Sequence, residues 1–156
     1  MTENIEKFYL TRDGLKRIKE EQARILVLME SRGKENLPEF LHSDELNPEY
    51  AAFQEDMGIL NKKIEEIINV LKNYEIIKSP AKENQNVVNL GAKVVIEIDG
   101  KAEEFTIVGT IESDPKLNKI SDESPVGKAI LGHKVGEELL IELIGKKVKI
   151  KKIKYE

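Results

Sequence analysis

The 156-residue sequence predicts an α+β chain in two parts: an N-terminal antiparallel α-helical coiled-coil hairpin over residues 1–79, and a small antiparallel sheet domain with one short helix over 91–156. Three observations predict it. Apolar residues in the first half recur at helical spacing, those in the second half alternate, and a polar stretch at 80–90 reads as a linker between them.

Thr11 is a good N-cap for the first helix, with Leu10 and Leu15 placed for a hydrophobic staple. Leu15, Ile18, Gln22, Ile25 and Met29 form its seam, and Gly33 and Pro38 mark where it weakens or ends. Asn47 and Pro48 read as N-cap and first residue of the second helix, whose seam is Phe53, Met57, Leu60, Ile64, Ile67, Leu71 and Tyr74. In an antiparallel pair, facing positions share a constant sum of residue numbers. Leu15 with Tyr74, Ile18 with Leu71, Gln22 with Ile67, Ile25 with Ile64 and Met29 with Leu60 all sum to 89, which puts the turn between Asp44 and Glu45.

After Gly91, Val94, Ile96 and Ile98 alternate, as do Phe105 and Ile107, then Leu139, Ile141 and Leu143. Val148, Ile150 and Ile153 continue with one bulge or shift. Val126–Leu131 reads as a short helix closed by Gly132.

Composition narrows the function classes. The absence of cysteine removes disulfides, thiolate zinc sites and cysteine nucleophiles, and fits a reducing cytoplasm. No stretch approaches a membrane span, and the polar N-terminus is unlike a signal peptide. Residues 1–79 hold 12 Lys and Arg against 16 Asp and Glu, and seven acids with no Lys or Arg fall between Glu35 and Asn61. That is not the footprint of a duplex-DNA binder. No Gly-rich phosphate loop, nucleophile elbow or His-Glu-x-x-His element is present, which argues against an independent active site.

Asp44 and Glu45 stand at the turn, before a helix N-terminus whose positive end favours carboxylates. Two adjacent carboxylates can hold Mg²⁺, and a metal so held can activate water for attack on a phosphodiester, but the remaining ligands must come from a partner. The same pair also reads as a soluble turn with capping acids. His42 can shuttle protons or be polar surface, as can His133 in its Gly-His-Lys turn. Lys16, Arg17, Lys19, Arg24, Lys62 and Lys63 either pair with Glu20, Glu21, Glu65 and Glu66 or contact RNA or a protein partner.

Several phrases resemble one family, the bacterial Gre transcription elongation factors, over nearly the whole chain. They are Tyr9–Leu15, Asn47–Ala52 and Leu71–Ile77 in the first half. In the second half they are Leu90–Val94, Ile107–Gly109, Glu112–Pro115, Ile120–Pro125 and Leu131–Glu137, in the family's order and spacing. The resemblance implies a coiled coil followed by an FKBP-like domain. It implies RNA polymerase as partner, with the globular domain docked at the secondary-channel entrance. The coiled coil then brings carboxylates to the polymerase's catalytic metal and the nascent RNA 3′ end, and the polymerase cleaves backtracked RNA. The factor is then an accessory and not an enzyme, and Mg²⁺ is shared with the polymerase. Neither membrane nor sequence-specific DNA binding is expected.

Asp44 and Glu45 are the catalytic and metal-holding candidates under this resemblance, supported by Ser43, Asn47, Glu49 and Tyr50. The family tip reads Gly-Asp-Leu-Ser-Glu-Asn-Ala-Glu-Tyr. Asn47, Glu49 and Tyr50 align with it, whereas Ser43 and Leu46 stand where Asp and Glu are usual. Asp114, Pro115, Ser121, Ser124 and Pro125 match the docking loops, although Asp, Ser and Pro are also ordinary turn formers. Two other readings stay open: a channel-binding inhibitor without cleavage, and a chaperone-like or scaffolding coiled-coil protein. Proline isomerase activity would be inferred from fold alone, and with one Phe and no Trp after residue 79 an aromatic proline pocket is not expected.

Overall fold

The computed structural model describes residues 5–40 and 48–156, with the backbone alone at 35–40. The order is β1 (Phe8–Leu10), α1 (Arg12–Phe40), α2 (Pro48–Lys72), β2 (Tyr74–Ile76), β3 (Lys93–Ile98), β4 (Lys101–Val108), β5 (Lys119–Ser121), α3 (Pro125–Ile130), β6 (Glu138–Ile141) and β7 (Lys146–Lys154). The fold is α+β, and it divides into two compact units. One is built from Leu15–Asn73; the other joins Glu6–Gly14 to Tyr74–Glu156.

In the first unit α1 and α2 run antiparallel. Ile25, Ile64 and Ile67 are buried together, with Ile18, Met29, Leu60 and Leu71 packed against them. These are the seam positions of the sequence. Two ion pairs flank it, Arg32 to Asp56 at 3.0 Å and Lys63 to Glu21 at 2.9 Å. Pro48 opens α2, where its missing N–H costs nothing. Helix α1 runs through Gly33 and Pro38 to Phe40, beyond the expected end. One glycine costs a helix about 1 kcal/mol and does not stop it. Pro38 stands so near the end that the lost hydrogen bond interrupts little.

The seam ends at Leu71, not Tyr74. Tyr74 begins β2, which pairs in parallel with β1: Phe8 opposite Tyr74 and Leu10 opposite Ile76. The Ile77 N–H extends the ladder to the Leu10 carbonyl at 2.8 Å, and Leu10 is fully buried. The division between units thus falls at Asn73/Tyr74, and the Glu6–Gly14 stretch crosses to the second unit.

The main sheet has the order β5-β4-β3-β7-β6. It is mixed, not purely antiparallel as expected. β5 lies parallel to β4, because two 3₁₀ turns, Thr110–Glu112 and Pro115–Leu117, return the chain to run in the same direction. Val94 and Ile96 on β3, Ile107 on β4, Ile130 on α3, Ile141 on β6, and Val148 and Ile150 on β7 form the core. The register shift between Val95 and Ile96 against β7 accounts for the broken alternation of Val148, Ile150 and Ile153.

Residues 80–90 are not a free linker. Val88 is fully buried; its N–H donates to the His133 carbonyl at 2.9 Å and its carbonyl accepts from Gly132 at 2.8 Å. Tyr155 holds the same stretch. Its hydroxyl donates to the Val87 carbonyl at 2.5 Å and accepts from the Asn89 N–H at 2.9 Å. Burial pushes this phenol above its ordinary value of 10.0.

Candidate functional site

The turn residues His42, Ser43, Asp44, Glu45 and Asn47 lie outside the described residues. Glu49 and Tyr50 stand exposed in the first turn of α2, where the helix N-terminus favours the Glu49 carboxylate. The Tyr50 ring stacks on Phe53 one turn along, with centroids 6.4 Å apart.

The predicted docking residues come together along the β5 edge of the sheet. Asp114 caps the second 3₁₀ turn: its carboxylate accepts from the Lys116 N–H at 3.0 Å, with Pro115 as the first residue of the turn. Asn118 takes the left-handed conformation, and the Asp114 and Lys119 backbones exchange hydrogen bonds of 2.9 and 3.0 Å. Ser121, at the end of β5, accepts from the Glu123 N–H at 3.0 Å and lies 2.9 Å from the Thr110 hydroxyl. Thr110 also donates to Glu123 at 3.1 Å.

Ser124 links this cluster to α3. Its hydroxyl donates to the Ser121 carbonyl at 2.6 Å and accepts from the Gly127 N–H at 3.0 Å, with Pro125 as first residue of the helix. A Cβ on Gly127 would collide with the Ser121 carbonyl, so only glycine lets the helix approach this closely.

Three contributors escaped the sequence reading. Ile111 and Leu117 are 42% and 52% exposed beside the Asp-Pro turn, apolar side chains on a loop that is otherwise polar. Glu112 ties the loop to the start of α1. Its carboxylate accepts from the Thr11 N–H and the Thr11 hydroxyl, each at 2.6 Å, while Thr11 accepts from the Gly14 N–H at 3.0 Å. Thr11 was legible as an N-cap, but no local signal indicates a partner 101 residues away.

The hydroxyls and carboxylates of this edge are engaged in turn hydrogen bonds. Among the described residues, no group of three His, Cys, Asp or Glu side chains could hold a metal. Ile111, Pro115, Leu117 and Pro125 are exposed apolar residues of these loops, and Glu123 is exposed as well. No helix among the described residues is long and apolar enough to cross a membrane.

Residues 82–155 match the family model described as transcription elongation factor, GreA/GreB, C-term. The chain is 37% identical to transcription elongation factor GreA of Thermomicrobium roseum, over 88% of this chain and 89% of that protein. It is 35% identical to transcription elongation factor GreA of Clostridium acetobutylicum, over 88% and 89% respectively. Among solved structures, GreA factor homolog 1 of Thermus thermophilus superposes with a TM-score of 0.43 at 25% identity, over 96% of this chain and 99% of that one.

Proposed function

The chain belongs to the GreA/GreB family of transcription elongation factors, and from that premise we propose that it binds RNA polymerase at the secondary channel and stimulates the polymerase's own cleavage of backtracked RNA. The observation that carries this reading is the match to a GreA factor along 88% of the chain, hairpin helices included. In this reading α1 and α2 are the arms of a coiled coil, and the sheet unit is an FKBP-like docking domain. The β5 edge is the surface that meets the polymerase, through Ile111 and Leu117 between the Asp114-Pro115 and Ser121–Pro125 loops.

Asp44 and Glu45 would hold Mg²⁺ jointly with the polymerase. Their oxygens are the hard donors this ion takes, and two carboxylates leave most of its shell to the partner and to water. The metal, when bound, supplies Lewis-acid activation of water. The chain itself supplies two carboxylates and the hairpin that carries them to the RNA 3′ end.

The test is a backtracked elongation complex given the protein and Mg²⁺. RNA should shorten faster with the natural chain, and Asp44→Ala/Glu45→Ala should abolish the gain while retaining polymerase binding. Cleavage undiminished in that variant would overturn the assignment. A second reading rests on Ser43 and Leu46, which stand where the family's acids are usual: a factor that occupies the channel and slows synthesis without shortening RNA. Binding and slowed synthesis with no shortened RNA would favour it. Failure to capture polymerase at all would sink both readings and favour a scaffold.

A further inference from the structure

One short turn, Thr110–Glu112, joins the β5 edge to the start of α1. Its first residue faces the edge: the Thr110 hydroxyl lies 2.9 Å from that of Ser121 and donates to Glu123 at 3.1 Å. Its second, Ile111, is exposed. Its third, Glu112, reaches the other way. One carboxylate oxygen accepts from the Thr11 N–H and the other from the Thr11 hydroxyl, each at 2.6 Å. That hydroxyl accepts in turn from the Gly14 N–H, as the cap of α1.

The surroundings hold this carboxylate in place. Gly14 and Gly109 have no room for a Cβ, the first against Glu112 itself and the second against the Tyr9 carbonyl. The Glu112 N–H donates to the Gly109 carbonyl at 3.0 Å, and the positive end of α1 favours the charge. Backbone pairing with β2 ends at Leu10, and Glu112 is the side chain that grips the next residue. Thr11 and Gly14 belong to the sheet unit, yet the helix they open continues from Leu15 as the first arm of the hairpin.

We propose that Glu112 is a positioning residue: through Thr11 it fixes the direction in which α1 leaves the docked sheet unit, and so the place the far end of the hairpin reaches. The role in cleavage rests on the polymerase reading; the grip itself does not. Leverage makes the grip matter. The 29 residues of α1 form an arm of about 43 Å at a rise of about 1.5 Å each. A tilt of about 10° at its base moves its end by about 7 Å. A misplacement of about 1 Å can already cost a reaction on the order of a hundredfold.

The sequence has no cysteine, so Val27→Cys and Lys147→Cys, both at exposed positions, accept a pair of spin labels cleanly. Double electron–electron resonance on the full chain then reads the distances between them. Glu112→Ala and Thr11→Val should broaden the distance distribution, whereas Thr11→Ser, which keeps the hydroxyl, should leave it as it is. Circular dichroism should show all three folded. In the backtracked elongation complex, Glu112→Ala should lower the maximal cleavage rate at least about tenfold. The protein concentration giving half the effect should stay within about twofold. Gly14→Ala added to Glu112→Ala should regain stability without regaining cleavage. An unchanged distance distribution in Glu112→Ala would overturn the proposal whatever the polymerase does. A broadened distribution with undiminished cleavage, or cleavage regained along with stability, would overturn the role in cleavage. A natural chain that shortens no RNA would sink the polymerase reading instead, and the distances would still decide whether Glu112 holds the arm.

Discussion

Gly14→Ala should change sign according to what stands opposite it. Within a helix, alanine in place of glycine ordinarily stabilises by about 1 kcal/mol. Here a Cβ on Gly14 would run into the Glu112 carboxylate, which accepts two 2.6 Å hydrogen bonds from Thr11. Hydrogen bonds to a charged group contribute about 1.5–3 kcal/mol each when shielded, and at this half-exposed site about 2 kcal/mol for the pair. Glu112→Ala should therefore cost about 2 kcal/mol, and Gly14→Ala, by displacing the same carboxylate, a net of about 1 kcal/mol. In the Glu112→Ala background the obstacle is gone, and Gly14→Ala should stabilise by about 0.5–1 kcal/mol. The two substitutions should thus couple by about 2 kcal/mol. Urea denaturation of the natural chain, both single variants and the double variant measures this. Additive effects, or a natural chain stabilised by Gly14→Ala alone, would refute the reasoning.

Three further outcomes are expected. Ile107→Ala, at a fully buried position on β4, should lower stability by about 3 kcal/mol in the same denaturation assay; a loss under about 1 kcal/mol would contradict the core described. Glu97 and Glu137 are held below the ordinary carboxylate value of 4.5 by hydrogen bonds from Lys151 and His133. A carboxylate lowered in this way adds stability above its ordinary value and loses it as pH falls through its lowered value. Glu97→Gln/Glu137→Gln should thus weaken the fold at neutral pH and flatten its acid limb below pH 4.5; an unchanged pH profile would count against both pairs. Ile111→Asp/Leu117→Asp should reduce capture of polymerase at unchanged melting temperature, and undiminished capture would move the docking surface elsewhere.

What the sequence revealed depended on repetition. Ile18, Ile25, Met29, Leu60, Ile64, Ile67 and Leu71 recur at helical spacing, and each was legible as a seam residue that the structure packs. The offset between Ile150 and Ile153 was legible as a bulge. Gly132, legible as the close of α3, takes the left-handed conformation just past it, whereas the helix begins at Pro125 with Ser124 as its cap, one residue before the expected Val126. Three-residue strands offer no such repetition. Phe8–Leu10 and Tyr74–Ile76 are too short to show a period, and they pair across the length of the hairpin. Tyr74 even continued the helical spacing, so the seam arithmetic absorbed it. Val88 was hidden similarly, the one fully buried residue in a short, largely polar stretch with no period.

The candidate site divides along the same line. Its turns were legible because Asp, Ser and Pro act on their own neighbours: Asp114 on Lys116, Ser124 on Gly127. What those turns display was not, since the exposure of Ile111 and Leu117 is set by the parallel return of β5 beside β4. The proposed function accordingly rests on two unlike supports. A docking edge can be fixed by local turn chemistry and tolerates change at its rim. A cleavage tip needs two carboxylates at a distance from the polymerase metal that the whole length of α1 and α2 determines. The proposed docking edge keeps the family's phrases, whereas Ser43 and Leu46 depart from them at the proposed tip. Polymerase binding should therefore survive substitutions at the tip, while cleavage should respond to any change that shifts the seam by a heptad.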